Sequence, residues 1–139
     1  MNSPTIAQLL AGRTIGSGEN SFVIAEWRDP GAPQGSDTRS PRWIAPLHLH
    51  NNDDEAWYVV EGKLCVQVGD DTMEAGAGAA VLVPKGTPHT YWNPDPSPVR
   101  YLLIMTPRIH QLIQVIHATQ DRSADGMRSL FKSYDSELL

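Results

Sequence analysis

Cysteine is nearly missing from this sequence: Cys65 is the only one in 139 residues. One thiol cannot form an intramolecular disulfide, so the fold must rest on packing, and a reducing compartment is the expectation. Paired-cysteine zinc sites are excluded for the same reason. Basic charge is also scarce, with 11 Lys and Arg against 16 Asp and Glu and a net charge of -5. Nucleic-acid partners are therefore not expected, because phosphate binding needs clustered cations. No apolar run approaches the ~18 residues of a membrane helix. The opening MNSPTIAQLLAGRT lacks the basic region and apolar stretch of a signal peptide. Together these absences lead us to expect a cytoplasmic protein without membrane partners. The segment Gly16-Ser17-Gly18 is too short for a phosphate loop and has no Lys-Ser/Thr after it. There is no Gly-x-Ser-x-Gly elbow either.

What the chain does have is short strands and turns. The length fits one domain, taken as 1–139, and is enough for a real core. Thr5–Ala11 reads as a short helix or an extended arm. Ser21–Trp27 is β-branched and aromatic, hence a strand. Asp29–Pro41 is dense in Pro, Gly, Ser and Asp, residues that favour turns, and reads as a long exposed loop. Strand composition then recurs at Trp43–His50, Glu55–Glu61, Lys63–Val68, Ala79–Val83, Thr87–Trp92 and Val99–Thr106. Turn signals separate these runs, a spacing that indicates an all-β sandwich, jelly roll or barrel over about 43–106, preceded by an arm and loop over 1–42.

The tail, 107–139, changes period. Thr106-Pro107 is a cap followed by proline at the first helical position. Ile109, Leu112, Ile113 and Ile116 recur at helical spacing. Met127, Leu130, Phe131 and Tyr134 do so again after Asp125-Gly126. Two amphipathic helices are expected, packed on the outside of the barrel or against a second subunit.

The chemistry is concentrated in His48-Leu49-His50, Glu55 and His89. Strand side chains alternate faces, so His48 and His50 project together while Leu47 and Leu49 project away. One strand thus aims two imidazoles at a single point. Glu55 begins the next strand after Asn51-Asn52-Asp53-Asp54 and can face back toward them. Asp53 and Asp54 are rival carboxylates, expected to be solvated in their turn. His89 follows Pro84-x-Gly86-x-Pro88, a stiff bend that can fix the entry of its strand. Three imidazoles and a carboxylate suit one divalent transition metal ion: Mn, Fe, Ni, Cu, Co or Zn. His110 and His117, seven residues apart in the tail, read as surface or interface residues. Parity brings Trp57, Tyr91, Tyr101, Leu103 and Met105 inward. The expected small-molecule pocket is therefore apolar and partly aromatic, with Trp57, Tyr91, Tyr101 and Met105 as substrate-binding candidates. Arg39, Arg42 and Arg100 could reach an anion at its mouth. Cys65 reads as a packed strand residue.

With their spacers the ligands form His48-x-His50-x4-Glu55-x6-Gly62 and Gly78-x5-Pro84-x-Gly86-x2-His89-x3-Asn93, with Lys63–Ala77 between. These blocks resemble the two motifs of the cupin superfamily. The second matches at every fixed position. The first departs only where the family usually has glycine and this chain has Arg42. The resemblance, over about Trp43–Thr106, implies a double-stranded β-helix (jelly roll) holding one ion between His48, His50, Glu55 and His89. It also implies Glu55 as a catalytic proton shuttle, as in the quercetinase-like members, and a homodimer. Cupins with this ligand set include dioxygenases, isomerases and decarboxylases. Dioxygenase-like chemistry on a small organic substrate is the leading expectation, and a non-catalytic binding or sensing module is the alternative.

Overall fold

A computed structural model describes residues 4–8, 13–33 and 41–139. The strands are β1 (Thr14–Ile15), β2 (Val23–Asp29), β3 (Trp43–His50), β4 (Glu55–Glu61), β5 (Lys63–Val68), β6 (Asp71–Gly76), β7 (Ala80–Val83), β8 (His89–Trp92), β9 (Val99–Met105) and β10 (Ser136–Leu138). The helices are α1 (Pro107–Ala118) and α2 (Ala124–Ser133). Part of Thr5–Ala11, much of the expected loop and Arg39 lie outside the described residues.

Among the described residues the strands form two five-stranded antiparallel sheets, ordered β1-β2-β9-β4-β7 and β10-β3-β8-β5-β6. From β2 to β9 the chain passes between the sheets at every step except the β5–β6 hairpin, the connectivity of a jelly roll. No described strand pairing joins the sheets' edges, so they are two packed layers and not the closed hydrogen-bonded barrel expected. Alternation explains the layering. Val23 and Ala25 of β2, Trp57 and Val59 of β4, and Val99, Tyr101 and Leu103 of β9 are buried on the inner face of one sheet. Leu64 and Val66 of β5 and Tyr91 of β8 complete the core from the other. No described helix is long and apolar enough to cross a membrane.

Three strands were not legible. β6 reads Asp-Thr-Met-Glu-Ala-Gly, with only Ala75 buried, so it has no apolar alternation to betray it. It exists because the Gly69-Asp70 turn returns it onto β5 in register, Lys63 against Gly76 through Val68 against Asp71. β1 and β10 are edge pieces of two and three residues.

The tail forms two helices, but their place differs from the expectation. Thr106 caps α1, its hydroxyl accepting from Ile109 N, with Pro107 in the first turn. Ser123 caps α2, which starts ahead of Asp125-Gly126. Ile109 and Leu112 are buried, as is Phe131. They cover one end of the space between the sheets instead of lying on an outer face.

Candidate metal centre

β3 and β8 are neighbours, and His48 stands directly opposite His89 in their register. β3 shifts register on both sides of Ala45. Pro46 lies in this stretch and has no N–H for the ladder. Its carbonyl instead accepts a hydrogen bond from His48 Nδ1, 2.6 Å away. In the same manner His89 Nδ1 donates to Thr87 O at 2.8 Å. His50 Nδ1 lies 2.7 Å from Ser136 Oγ. That hydroxyl has one proton, which goes to Tyr134 O at 3.2 Å, so it accepts from His50. Each imidazole therefore carries its proton on Nδ1 and turns the lone pair of Nε2 inward.

Glu55 comes from the opposite sheet, at the start of β4. His50 Nε2 is 2.8 Å and His89 Nε2 3.6 Å from Glu55 Oε2. Neither contact has the alignment of a hydrogen bond, and these three atoms are buried without partners. One ligand atom from each of His48, His50, Glu55 and His89 lies within 4.8 Å of the others. All four residues are buried. Leaving a buried polar group unsatisfied costs roughly 1–3 kcal/mol. A cluster of converging lone pairs is stabilised by a cation and by little else, so the residues fit a divalent metal ion.

Electrostatics favour the same state. Burial, reinforced by His89, holds the His48 imidazole down at about 4, so it is neutral near pH 7. Burial alone would push the Glu55 carboxyl up. The His50 and His89 rings, whose Nε2 atoms face the carboxylate, outweigh that effect and lower the carboxyl to about 2. Neutral imidazoles and an ionised carboxylate are the forms that ligate metal.

Beside the cluster lies a cavity of about 140 Å³. The ligand residues His48, His50 and Glu55 line it, as do Tyr91, Tyr101 and Leu103. Trp27, Ile44, Ala45 and Pro46 form further wall. The remainder is helical: Ile109, Leu112, Ile113, Ile116 and His117 of α1 and Phe131 of α2. Phe131 sets its ring edge-on to His48 at 5.5 Å. Trp57 and Met105 are not among the lining residues. Trp57 is buried behind the site with its ring 5.8 Å from His89 and 5.2 Å from Tyr91, and Met105 is buried opposite Glu55 in the β4–β9 register. The Tyr91 and Tyr101 hydroxyls are 3.0 Å apart. Burial pushes Tyr91 up to about 12 and Tyr101 well above its usual range, so both phenols are neutral.

Other residues lie differently from the sequence reading. Asp53 is buried and pairs with Arg108 at 3.5 Å, where a solvated acid was expected. Asp54 accepts from Lys85 N. Arg42 pairs with Asp29 at 3.1 Å and Arg100 with Glu26 at 3.4 Å, so both are committed to carboxylates away from the cavity. His117 is exposed but reaches the cavity mouth, edge-on to Trp27 at 5.4 Å. His110 is partly buried, which pushes its imidazole down. Cys65 is buried, and burial together with Glu74 pushes its thiol up, so it is no activated nucleophile.

The profile of the cupin domain family matches residues 38–105, the segment that holds both motifs and all four ligand residues. This segment is a cupin domain. Solved cupins share its fold. One from Bacteroides fragilis superposes with a TM-score of 0.56 at 15% identity, over 76% of this chain and 82% of its own. A sugar phosphate isomerase of the superfamily from Silicibacter pomeroyi gives 0.50 at 23% identity, over 63% and 51%. In sequence, the mannose-1-phosphate guanylyltransferase of Salmonella muenchen is 29% identical over 92 residues. That match takes in 66% of this cupin but only 17% of the relative. The helices that roof the cavity lie beyond the family match.

Proposed function

We propose that this cupin binds one divalent transition metal ion through His48, His50, Glu55 and His89 and acts as a small metalloenzyme on a small, largely apolar organic substrate. The observation behind the reading is the convergence of Nε2 lone pairs on an ionised carboxylate, with every Nδ1 already spent on a hydrogen bond. When bound, the ion supplies Lewis acidity or, if redox-active, dioxygenase-like oxygen chemistry. The chain's own residues do the rest. Aliphatic and aromatic walls exclude water from the reacting atoms. The neutral phenols of Tyr91 and Tyr101 can donate a hydrogen bond to a ligand oxygen. Glu55, ionised and buried, is the group placed to accept a proton from a ligand hydroxyl.

The cavity argues about the substrate. At about 140 Å³ it is small beside the ~300–1,000 Å³ of drug-sized pockets. Its lining includes no Lys or Arg. Beyond the proposed ion, the lining offers a phosphate no cationic partner, and its remaining charge would face apolar walls and the Glu55 carboxylate, which is costly. A phosphorylated sugar is therefore a poor fit, despite the names of two of the similar proteins. A short ligand with one or two oxygen donors fits. The enclosure also supports a second reading, a non-catalytic cupin that binds or senses such a molecule. Homodimer formation belongs to the proposal as well, and Phe22, Trp43, Tyr58 and Leu82 are among the large apolar residues left exposed for it.

Elemental analysis of protein purified without added metal tests the reading, with the His48→Ala/His89→Ala double variant and Glu55→Gln alongside. We expect a stoichiometric transition metal in the wild type, none in the double variant, and a reduced content in a folded Glu55→Gln protein. Mn, Fe, Ni or Cu would direct a substrate screen to oxygen-dependent turnover, and Zn to Lewis-acid chemistry or binding. Equal metal content in all three proteins would refute the ligand assignment.

A further inference from the structure

His50 differs from the other two histidines in how it is held. His48 and His89 donate to carbonyls two residues earlier in the chain, Pro46 and Thr87. His50 depends on Ser136, 86 positions further along the chain. We propose that Ser136, carried by the C-terminal strand, is a positioning residue for the metal ligand His50. The inference rests on the metal-site reading above and extends the site beyond the family-matched segment to the end of the chain.

Several contacts place that hydroxyl. β10 pairs with β3 so that Ser136 stands opposite His50, and Leu139 N donates to Leu47 O beyond it. The turn from α2 into β10 runs through Asp135, whose φ of +56° is a left-handed conformation that aspartate tolerates better than most residues. Asp135 is anchored three ways. Its carbonyl accepts from Asn51 N at 2.9 Å, and its carboxylate accepts from Arg108 Nη1 at 3.0 Å and from the Asn52 side chain. Asn51 and Asn52 follow His50 directly, so the turn is tied to the segment that bears the ligand. Ser136 itself is 1% exposed, so water does not compete for its oxygen. With its proton on Tyr134 O, the hydroxyl can only accept from His50 Nδ1, which fixes both the tautomer and the ring plane. Hydrogen bonds of this kind, to the nitrogen that does not ligate, typically change metal affinity 10–100-fold.

Cobalt(II) titration of the full-length protein tests the proposal, following visible absorption in wild type, Ser136→Ala and Ser136→Thr. The melting temperature of each protein is measured without metal. In the cobalt-loaded forms, proton NMR counts the shifted, exchangeable imidazole N–H signals. We expect Ser136→Ala to bind cobalt about 10–100-fold more weakly. Its exchangeable N–H signals should fall from three to two as the His50 proton is lost to solvent exchange, with the metal-free melting temperature little changed. Ser136→Thr keeps the hydroxyl and should restore both the affinity and the third signal. If Ser136→Ala keeps wild-type affinity and all three signals, the proposal is overturned. It is equally overturned if affinity falls only in step with the metal-free melting temperature and threonine does not restore it. A wild type that takes up no cobalt would overturn the metal reading itself, a distinct outcome visible before any variant is compared.

Discussion

At the scale of single residues, the centre is a set of lone pairs whose arrangement follows from strand parity. The His-x-His spacing, the carboxylate opening the next strand and the later His89 were all legible, because a strand fixes which residues share a face regardless of what surrounds it. The protonation states were not. His48 is held at about 4 by burial and by His89, conditions that exist only after folding. This has a consequence for acid stability. Between pH 6.5 and 4 the unfolded chain takes up a proton at His48 that the folded chain refuses, so stability falls as pH falls through this window and levels below it. The lowered Glu55 carboxyl acts in the same direction further down, toward pH 2. The metal-free protein should therefore lose on the order of 3 kcal/mol from the His48 shift between pH 6.5 and 4. Urea unfolding at a series of pH values checks this, and a midpoint flat across that range would contradict a neutral, buried His48.

At the scale of elements, α1 is where sequence and structure part. Its amphipathic period, its Thr106 cap and Pro107 announced a helix, and a helix is there. An apolar stripe shows that a face is buried but not against what. In the structure the stripe roofs the cavity, so residues that read as outer cover become its wall. Leu112, 1% exposed and lining the cavity, shows the double role. Leu112→Ala should destabilise the protein by about 2–5 kcal/mol, as large-to-small core changes do, and enlarge the cavity. Chemical denaturation measures the first effect. A shift of ligand preference toward bulkier molecules measures the second. A loss below about 0.5 kcal/mol would mean that α1 is not seated as described. The missed strands share one cause. β6 and β10 have little or no apolar alternation, and their existence depends on a neighbour offering a free edge in register.

At the scale of the whole molecule, the two sheets meet at the candidate metal centre. β3 and β8 supply three ligands from one layer and β4 supplies Glu55 from the other, while β10 and the helices close the same end. An ion that bridges both layers binds the folded chain and not the unfolded one. Metal at 100 times its dissociation constant should then raise stability by about 2.7 kcal/mol, and a chelator should remove the gain. Calorimetry of loaded and chelator-treated protein gives the comparison, and identical melting would place any ion outside this bridge.

The sequence by itself determined the fold family, most of the strands, the helical tail and the four candidate ligands. Those features follow from local periodicity and from motif spacing, which need no knowledge of distant residues. Only the tertiary structure decided that Ser136 holds His50, that Asp53 is buried against Arg108, and that the tail helices roof the cavity while Trp57 and Met105 stay behind it. These depend on which segments, tens of residues apart, come to share one volume. That is settled by packing two sheets and two helices around a common core, which no single stretch of sequence encodes.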